Sequence, residues 1–341
     1  MNSARQQALT RAAGAQQVGV AGPSAAFIDC DFDLQQREVT IRAARKGEDV
    51  AMLQQSQIDF YHDQGWLGVE DVLPAQDVME LRQVTDGFVE QSRSVTVSNS
   101  VFDLEPGHSA EAPRLRRLKE PVTVHRVYDR IMRHDNIVAI VSQLIGPNMR
   151  QNGTKLNMKS PGFGSPVEWH QDWAFYPHTN DDLLAVGVCI DDMTLANGCL
   201  LVVPGSHRGP VHSHHFNGVF AGAVTEPDFD PGETVPIEVR AGGISIHHAR
   251  TLHASAPNRS ATPRRFLLFQ YCAADAWPLL GPGDLETFNS KMIAGETSLV
   301  PRLADVPARM PLPPAERQGS IYENQTILER SSFAMDQAQG S

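Results

Sequence analysis

The sequence predicts a mainly β protein with flanking helices, and two changes of texture along the chain predict it. Up to about residue 150, apolar residues recur at helical spacing. Beyond it, short extended runs alternate with Gly, Pro, Asn and Asp clusters, the pattern of an antiparallel sandwich or barrel. Residues 1–50 are rich in Ala, Gln and Gly without sustained periodicity and read as a mobile or loosely packed extension. In "SQIDFYHDQGWLGVEDVLPAQDV", a short helix passes through Gly65 into a strand, and a longer helix follows Pro74 with Val78, Leu81 and Val84 on one face. A second helix is expected over about 122–145, carrying Val127, Ile131, Ile137, Ile140, Val141 and Leu144 and ending at "GPN". The runs "TKLNMK", "LLAVGVCIDD", "GCLLVVPGS", "VPIEVRAGGISIHH" and "RRFLLFQYC" then make an all-β body, within one domain over 51–280. The Pro-rich stretch 281–341 is expected to pack on that body.

Composition excludes several classes. A net charge of −11, with "RLRRLK" (114–119) as the densest basic cluster, argues against a nucleic-acid partner. No apolar run reaches the ~18 residues of a membrane span. Four widely spaced cysteines, Cys30, Cys189, Cys199 and Cys272, are not a disulfide framework and fit a reducing, cytoplasmic setting. A small-molecule substrate is the expected partner. Composition leaves monomer and homodimer equally open.

The chemistry concentrates in "VEWHQDW". His170 and Asp172 stand two apart, so on an extended segment both side chains share one face. A third ligand has to come from another strand, and "GGISIHHARTLHASAP" offers His247, His248 and His253. Two imidazoles and one carboxylate on one face of an octahedral ion leave three positions open, which suits non-haem Fe(II) with O₂ and a bidentate co-substrate. Eleven residues after His253, Arg264 heads an otherwise apolar strand, a costly place for a cation unless it meets an anion such as the distal carboxylate of a 2-oxo diacid. Ser255 lies two after His253, where its hydroxyl would share that carboxylate.

Taken together, "WHQDWAFYP", "NGCLLVVPGSHRG" and a His followed eleven residues later by an Arg resemble the phytanoyl-CoA dioxygenase family of Fe(II)/2-oxoglutarate oxygenases, over roughly residues 55–278. The resemblance implies a double-stranded β-helix (jelly roll, cupin-like) at about 150–275, supported by N-terminal helices. It implies His170, Asp172 and His253 as iron ligands, Arg264 and Ser255 on the 2-oxoglutarate C5 carboxylate, and Lys119 near the co-substrate. Halogenating members replace the carboxylate ligand with a small residue, so Asp172 implies hydroxylation of a C–H bond with release of succinate and CO₂. The family name points to an acyl-CoA. No cluster in this chain resembles a CoA-phosphate site, however, and a small or medium polar metabolite is expected instead.

Around this core the residue readings divide. By alternation His247 shares a face with His253 and is the rival ligand. Lys155 and Asn157, with Lys159, alternate onto one face of "TKLNMK" and either line the cavity mouth or face solvent. Trp173 and Phe175 follow the carboxylate ligand, where they would wall the substrate or join the core. "VHSHHF" (211–216) reads as an exposed histidine-rich loop, and His207 as a turn organiser. The competing class is a non-catalytic or zinc-dependent jelly-roll protein, a metal binder or a hydrolase, which would leave Arg264 without a purpose.

Overall fold

The computed structural model describes residues 40–42, 50–316 and 319–333. The expected N-terminal extension thus lies almost wholly outside the described residues, as does Cys30. Thr40–Arg42 (β1) pairs in parallel with Trp66–Glu70 (β2), which follows helix α1 (Gln55–Gln64). After the long helix α2 (Ala75–Ser92) come the hairpin β3 (Phe102–Leu104) and β4 (Leu115–Lys119). The helix expected over 122–145 is three: α3 (Pro121–Val124), α4 (Arg126–Met132) and α5 (Asp135–Ile145). The breaks fall at His125 and His134, whose extended backbones and ring Nδ1 atoms cap the next helix by accepting from Val127 N and Asn136 N.

The body holds β5 (Met149–Lys159), β6 (Val167–His170), β7 (Leu183–Cys189), β8 (Leu200–Val202), the small hairpin β9 (His215–Phe216) and β10 (Val219–Phe220), β11 (Val235–Ile237), β12 (Ile244–His248), β13 (His253–Ser255) and β14 (Arg264–Ala273). Helix α6 (Leu285–Ser290), β15 (Met292–Ala294) and the one-turn helix α7 (Ile321–Asn324) follow. The large sheet runs β1-β2-β12-β7-β14-β5-β4-β3, with β15 against β5, and the small one runs β11-β8-β13-β6. From β5 to β14 the chain passes back and forth between the two sheets, which is the jelly roll.

Strand alternation sorts the side chains. Leu156, Val186, Val188, Ile244, Ile246, Leu267, Phe269 and Tyr271 face outward under the helices, with Leu81, Val127, Ile131, Ile137, Ile140 and Val141 closing the core. Their neighbours point inward. Cys189, Val202, Ile237, Phe266 and Leu268 make a smaller apolar floor between the sheets, and at the open end polar side chains replace it. Beyond residue 280 the chain returns to the body, where Trp173 Nε1 donates to Pro307 O and Phe220 N to Pro313 O.

Gly65 ties β2 to the turn that delivers β13. It ends α1 at φ +78°, its N–H donating to Tyr61 O, while Thr251 Oγ1 donates to Gly65 O at 2.8 Å. A Cβ at this position would come within 2.4 Å of His207 Nδ1 and 2.6 Å of Thr251 Oγ1. Gly65→Ala is therefore expected to lower stability by about 2 kcal/mol or more. A urea midpoint that does not move, at unchanged m-value, would contradict this close approach.

Candidate metal and co-substrate site

β13 pairs with β6 so that His253 lies directly opposite His170, and the two imidazole centroids are 4.0 Å apart. Strand β6 stops at His170. Gln171 is still extended, and Asp172 opens a 3-10 turn, so the i, i+2 relation survives across the strand end. One ligand atom each from His170, Asp172 and His253 lies within 4.8 Å of the others, and all three residues are buried. His170 Nδ1 donates to Glu168 O (2.8 Å) and His253 Nδ1 to Thr251 O (2.9 Å). Each ring is thereby held with Nε2 free to bind a metal, and burial favours the neutral form that a metal requires: it pushes His170 down to about 4, and His253 well below its ordinary range. Burial works against ionisation of Asp172, yet Lys155, with His247 and His253, holds its carboxyl well below the usual carboxylate range. Two neutral imidazoles and a carboxylate fit a divalent ion that prefers N/O donors.

The residue between the first two ligands is fixed on every polar atom. Gln171 N donates to His214 Nε2, its amide donates to Pro210 O and Arg250 O, and its Oε1 accepts from His212 N. The histidine-rich loop is therefore not simply exposed: His214 is fully buried and holds the "HQD" backbone, while His212 pairs with Glu226 at 2.6 Å. His207 organises its turn by donating to His62 O.

The rival, His247, comes from a different sheet. His247 and His253 do not share a strand; residues 249–252 cross from β12 in the large sheet to β13 in the small one. Both rings still face inward, with centroids 4.3 Å apart. His247 Nε2 lies 3.5 Å from Asp172 Oδ2, beside the ligand set and outside the three-atom cluster. His248 turns away to Asp181.

From the triad, a cavity of about 440 Å³, mouth included, leads between the sheets to Ser255 and Arg264. Arg264 lies opposite Lys159 in the β14–β5 register, and both are buried. Nε and Nη1 of Arg264 have no hydrogen-bond partner among the described residues. Lys159 Nζ donates to Ser255 O, Ser255 Oγ and Ala256 O, so the Ser255 hydroxyl accepts from Lys159 and keeps its own proton to donate. An arginine with unpartnered donors, beside a hydroxyl that Lys159 holds and that keeps its own proton, forms a site suited to a carboxylate. Lys159 was read only as a companion of Lys155 on its strand face. Its partnership with Ser255 depends on the β5–β14 register, which no local pattern reveals.

The remaining expectations separate cleanly. Lys155 and Asn157 line the cavity, and Lys155 Nζ reaches to 3.7 Å from Asp172 Oδ1. Lys119 does not join them: its Nζ donates to Asn99 O and lies 3.9 Å from Glu323. Arg117, opposite Asn157 across β4–β5, does not line this cavity either. Trp173 is in the core and not on a substrate wall, enclosed by Leu183, Ala249, Cys272 and Ala276 because the 3-10 turn rotates it away from the triad. Phe175 meets His170 edge-on at 6.0 Å and walls a second chamber on the Asp172 side. Sequence reading also missed Gln270, which donates to Asp172 Oδ2 (3.3 Å) and to Tyr176 OH.

Comparison with known proteins agrees with this geometry. Residues 61–266 match the model of the family described as phytanoyl-CoA dioxygenase (PhyH). A probable alpha-ketoglutarate-dependent hypophosphite dioxygenase of Stutzerimonas stutzeri is 35% identical over 279 residues, 80% of this chain and 97% of that one. An L-proline trans-4-hydroxylase of Streptomyces griseoviridis is 31% identical, over 62% of this chain and 83% of that one. Among solved structures, EctD from S. alaskensis with 2-oxoglutarate and 5-hydroxyectoine superposes with a TM-score of 0.55 at 19% identity, over 68% of this chain and 79% of that one.

Burial has a measurable consequence in histidines that are not ligands. It pushes His178 down to about 4, and His214 and His248 to about 3. These values lie below the ~6.5 of an exposed imidazole, so on acidification the unfolded chain takes up protons that the folded chain refuses. The stabilisation is complete above pH 6.5 and is lost as pH falls from 6.5 towards about 3. For three such groups the slope reaches at most about 4 kcal/mol per pH unit. Urea unfolding of the metal-free protein is expected to give a much lower midpoint at pH 5 than at pH 7.5. A flat profile would refute the buried neutral state of these rings.

Proposed function

The chain belongs to the phytanoyl-CoA dioxygenase family, and from that premise we propose that His170, Asp172 and His253 hold Fe(II), and that Arg264 and Ser255, the latter positioned by Lys159, hold the far carboxylate of 2-oxoglutarate. The protein is a 2-oxoglutarate-dependent dioxygenase that hydroxylates a small or medium polar metabolite, releasing succinate and CO₂. The observation that carries the assignment of residues is the pairing of a three-ligand cluster with a buried, unpartnered guanidinium at the other end of the same cavity.

When bound, Fe(II) with 2-oxoglutarate and O₂ supplies an oxidation strong enough for an unactivated C–H bond. The chain's own residues supply position and dryness. Arg264 grips a carboxylate through two parallel N–H donors, and Ser255 adds a third donor because Lys159 occupies its lone pair. Val167, Leu200, Phe266 and Leu268 line the passage and exclude water from the co-substrate's methylene chain. His247, within 3.5 Å of Asp172, and Gln270 hold the ligand carboxylate in orientation. Small polar substrates are supported by the names of the two relatives quoted above, one for hypophosphite and one for L-proline.

Anaerobic titration of Fe(II) and 2-oxoglutarate, followed by the visible charge-transfer band of the chelate, tests the assignment. The wild type is expected to form the band and His253→Ala to lose it. Arg264→Gln should form it only at about ten- to a hundredfold higher 2-oxoglutarate, the loss of one or two charged hydrogen bonds. A protein that forms no band and binds zinc tightly would instead be the zinc-dependent reading.

A further inference from the structure

We infer that the chamber on the Asp172 side of the triad is a recognition site for an anionic group on a small substrate, read by Arg117 and Lys155 and closed by the C-terminal segment. The inference rests on the dioxygenase reading, which leaves this chamber unassigned. It is distinct from the cavity that ends at Arg264, and is lined by Arg117, Glu120, Lys155, Tyr176, Gln270 and Asn324 around about 560 Å³, mouth included. Lys155 lines both spaces, so a molecule in the chamber lies next to the metal ligands.

Three observations point to an anion. Arg117 Nε is buried without a hydrogen-bond partner, an arrangement that costs stability unless something accepts from it. Lys155 Nζ lies 3.7 Å from Asp172 Oδ1, and Asp172 is committed to the metal, so the ammonium is placed to face a further negative group. The only other acid lining the chamber, Glu120, already accepts from Thr154 Oγ1. Two cations thus face two acids that are both already engaged, Asp172 by Lys155 and Glu120 by Thr154, which leaves the unpartnered Arg117 donor for an incoming anion. Asn324 Oδ1, also buried and unpartnered, supplies an acceptor for a hydroxyl or protonated oxygen. The volume is that of about twenty water-sized groups at most, which admits a small carboxylate, amino acid or phosphorus oxyanion and is too small to enclose a coenzyme A ester. Asn324 and the neighbouring Ile321 come from α7, beyond the residues that match the family model.

The test uses the full chain loaded anaerobically with Fe(II) and 2-oxoglutarate, with hypophosphite, methylphosphonate and acetate as anionic probes, and acetamide and methylammonium as neutral and cationic controls. Binding is read both as a shift of the charge-transfer band and as a thermal shift. At least one anionic probe is expected to bind, and which one separates phosphorus oxyanion from carboxylate. Arg117→Gln should weaken that probe about tenfold or more while 2-oxoglutarate affinity stays within about twofold. Arg117→Lys, which keeps the charge and removes the buried Nε donor, provides a second variant should Arg117→Gln fold poorly, and is expected to weaken it severalfold. Equal binding of the controls, no binding by any anionic probe, or anion binding untouched in the variants would overturn the inference. Absence of the band itself would instead sink the dioxygenase reading, and the thermal shifts would still decide whether the chamber takes an anion.

Discussion

The pairing of His253 with His170 across two short strands of the small sheet is the constraint on which the rest depends. Two imidazoles 4.0 Å apart in a buried space cannot both be protonated, and each gives its Nδ1 proton to a carbonyl two residues earlier. Those carbonyls belong to the same strand or the turn before it, so the tautomer is set by local backbone and the distance by register. A one-residue slip of β13 would turn His253 to the opposite face and bring Leu252 or Ala254 inward, destroying the cluster. Much of the surrounding structure serves to prevent that slip. Gln171 is locked by His214, Pro210, Arg250 and His212, and Thr251 is bonded to Gly65 at the end of α1.

The second organising principle is the segregation of charge. Asp172 lies among Lys155, His247 and Gln270, where the nearby cation keeps it ionised despite burial. At the other end of the cavity, Arg264 and Lys159 sit together with no hydrogen-bonded carboxylate between them. Burial penalises both cations, and Arg264 further penalises the charge on Lys159. A fold that keeps two buried cations adjacent gains by admitting a dianion, whose two ends then span from the arginine to the metal. The inward apolar strip of Val167, Leu200, Phe266 and Leu268 matches the uncharged middle of such a molecule.

What the sequence made legible is what local spacing encodes. His-x-Asp survives the end of β6 because Gln171 remains extended, and the alternation of Lys155, Asn157 and Lys159 holds along β5. The eleven-residue step from His253 to Arg264 is short enough for one turn to set it. What stayed hidden depends on which strand lies next to which. Arg117 and Lys119 are equivalent by alternation, and only the contact with Glu323 of α7 and Asn99 shows that Lys119 is drawn outward. Of the two places open to Trp173, the core wins because a 3-10 turn, not a strand, carries it. The apparent single strand bearing His247 and His253 is two strands in two sheets, joined by a crossing whose sequence, "ARTL", carries no Gly or Pro to mark it.

The C-terminal segment joins these themes. Gln325 Oε1 accepts from Glu168 N, and the Glu168 carboxylate accepts from Ser331 Oγ and Ser332 N. Glu168 is the residue whose carbonyl orients His170. The segment that places Ile321 and Asn324 on the walls of the two cavities is therefore also bonded to the strand that carries the first ligand. The metal-ligand cluster, Ser255 and Arg264 all lie within the residues that match the family model. Ile321 and Asn324 of α7 line the chamber while Gln325, Ser331 and Ser332 bond to Glu168, so the chamber wall is tied directly to the strand that carries His170.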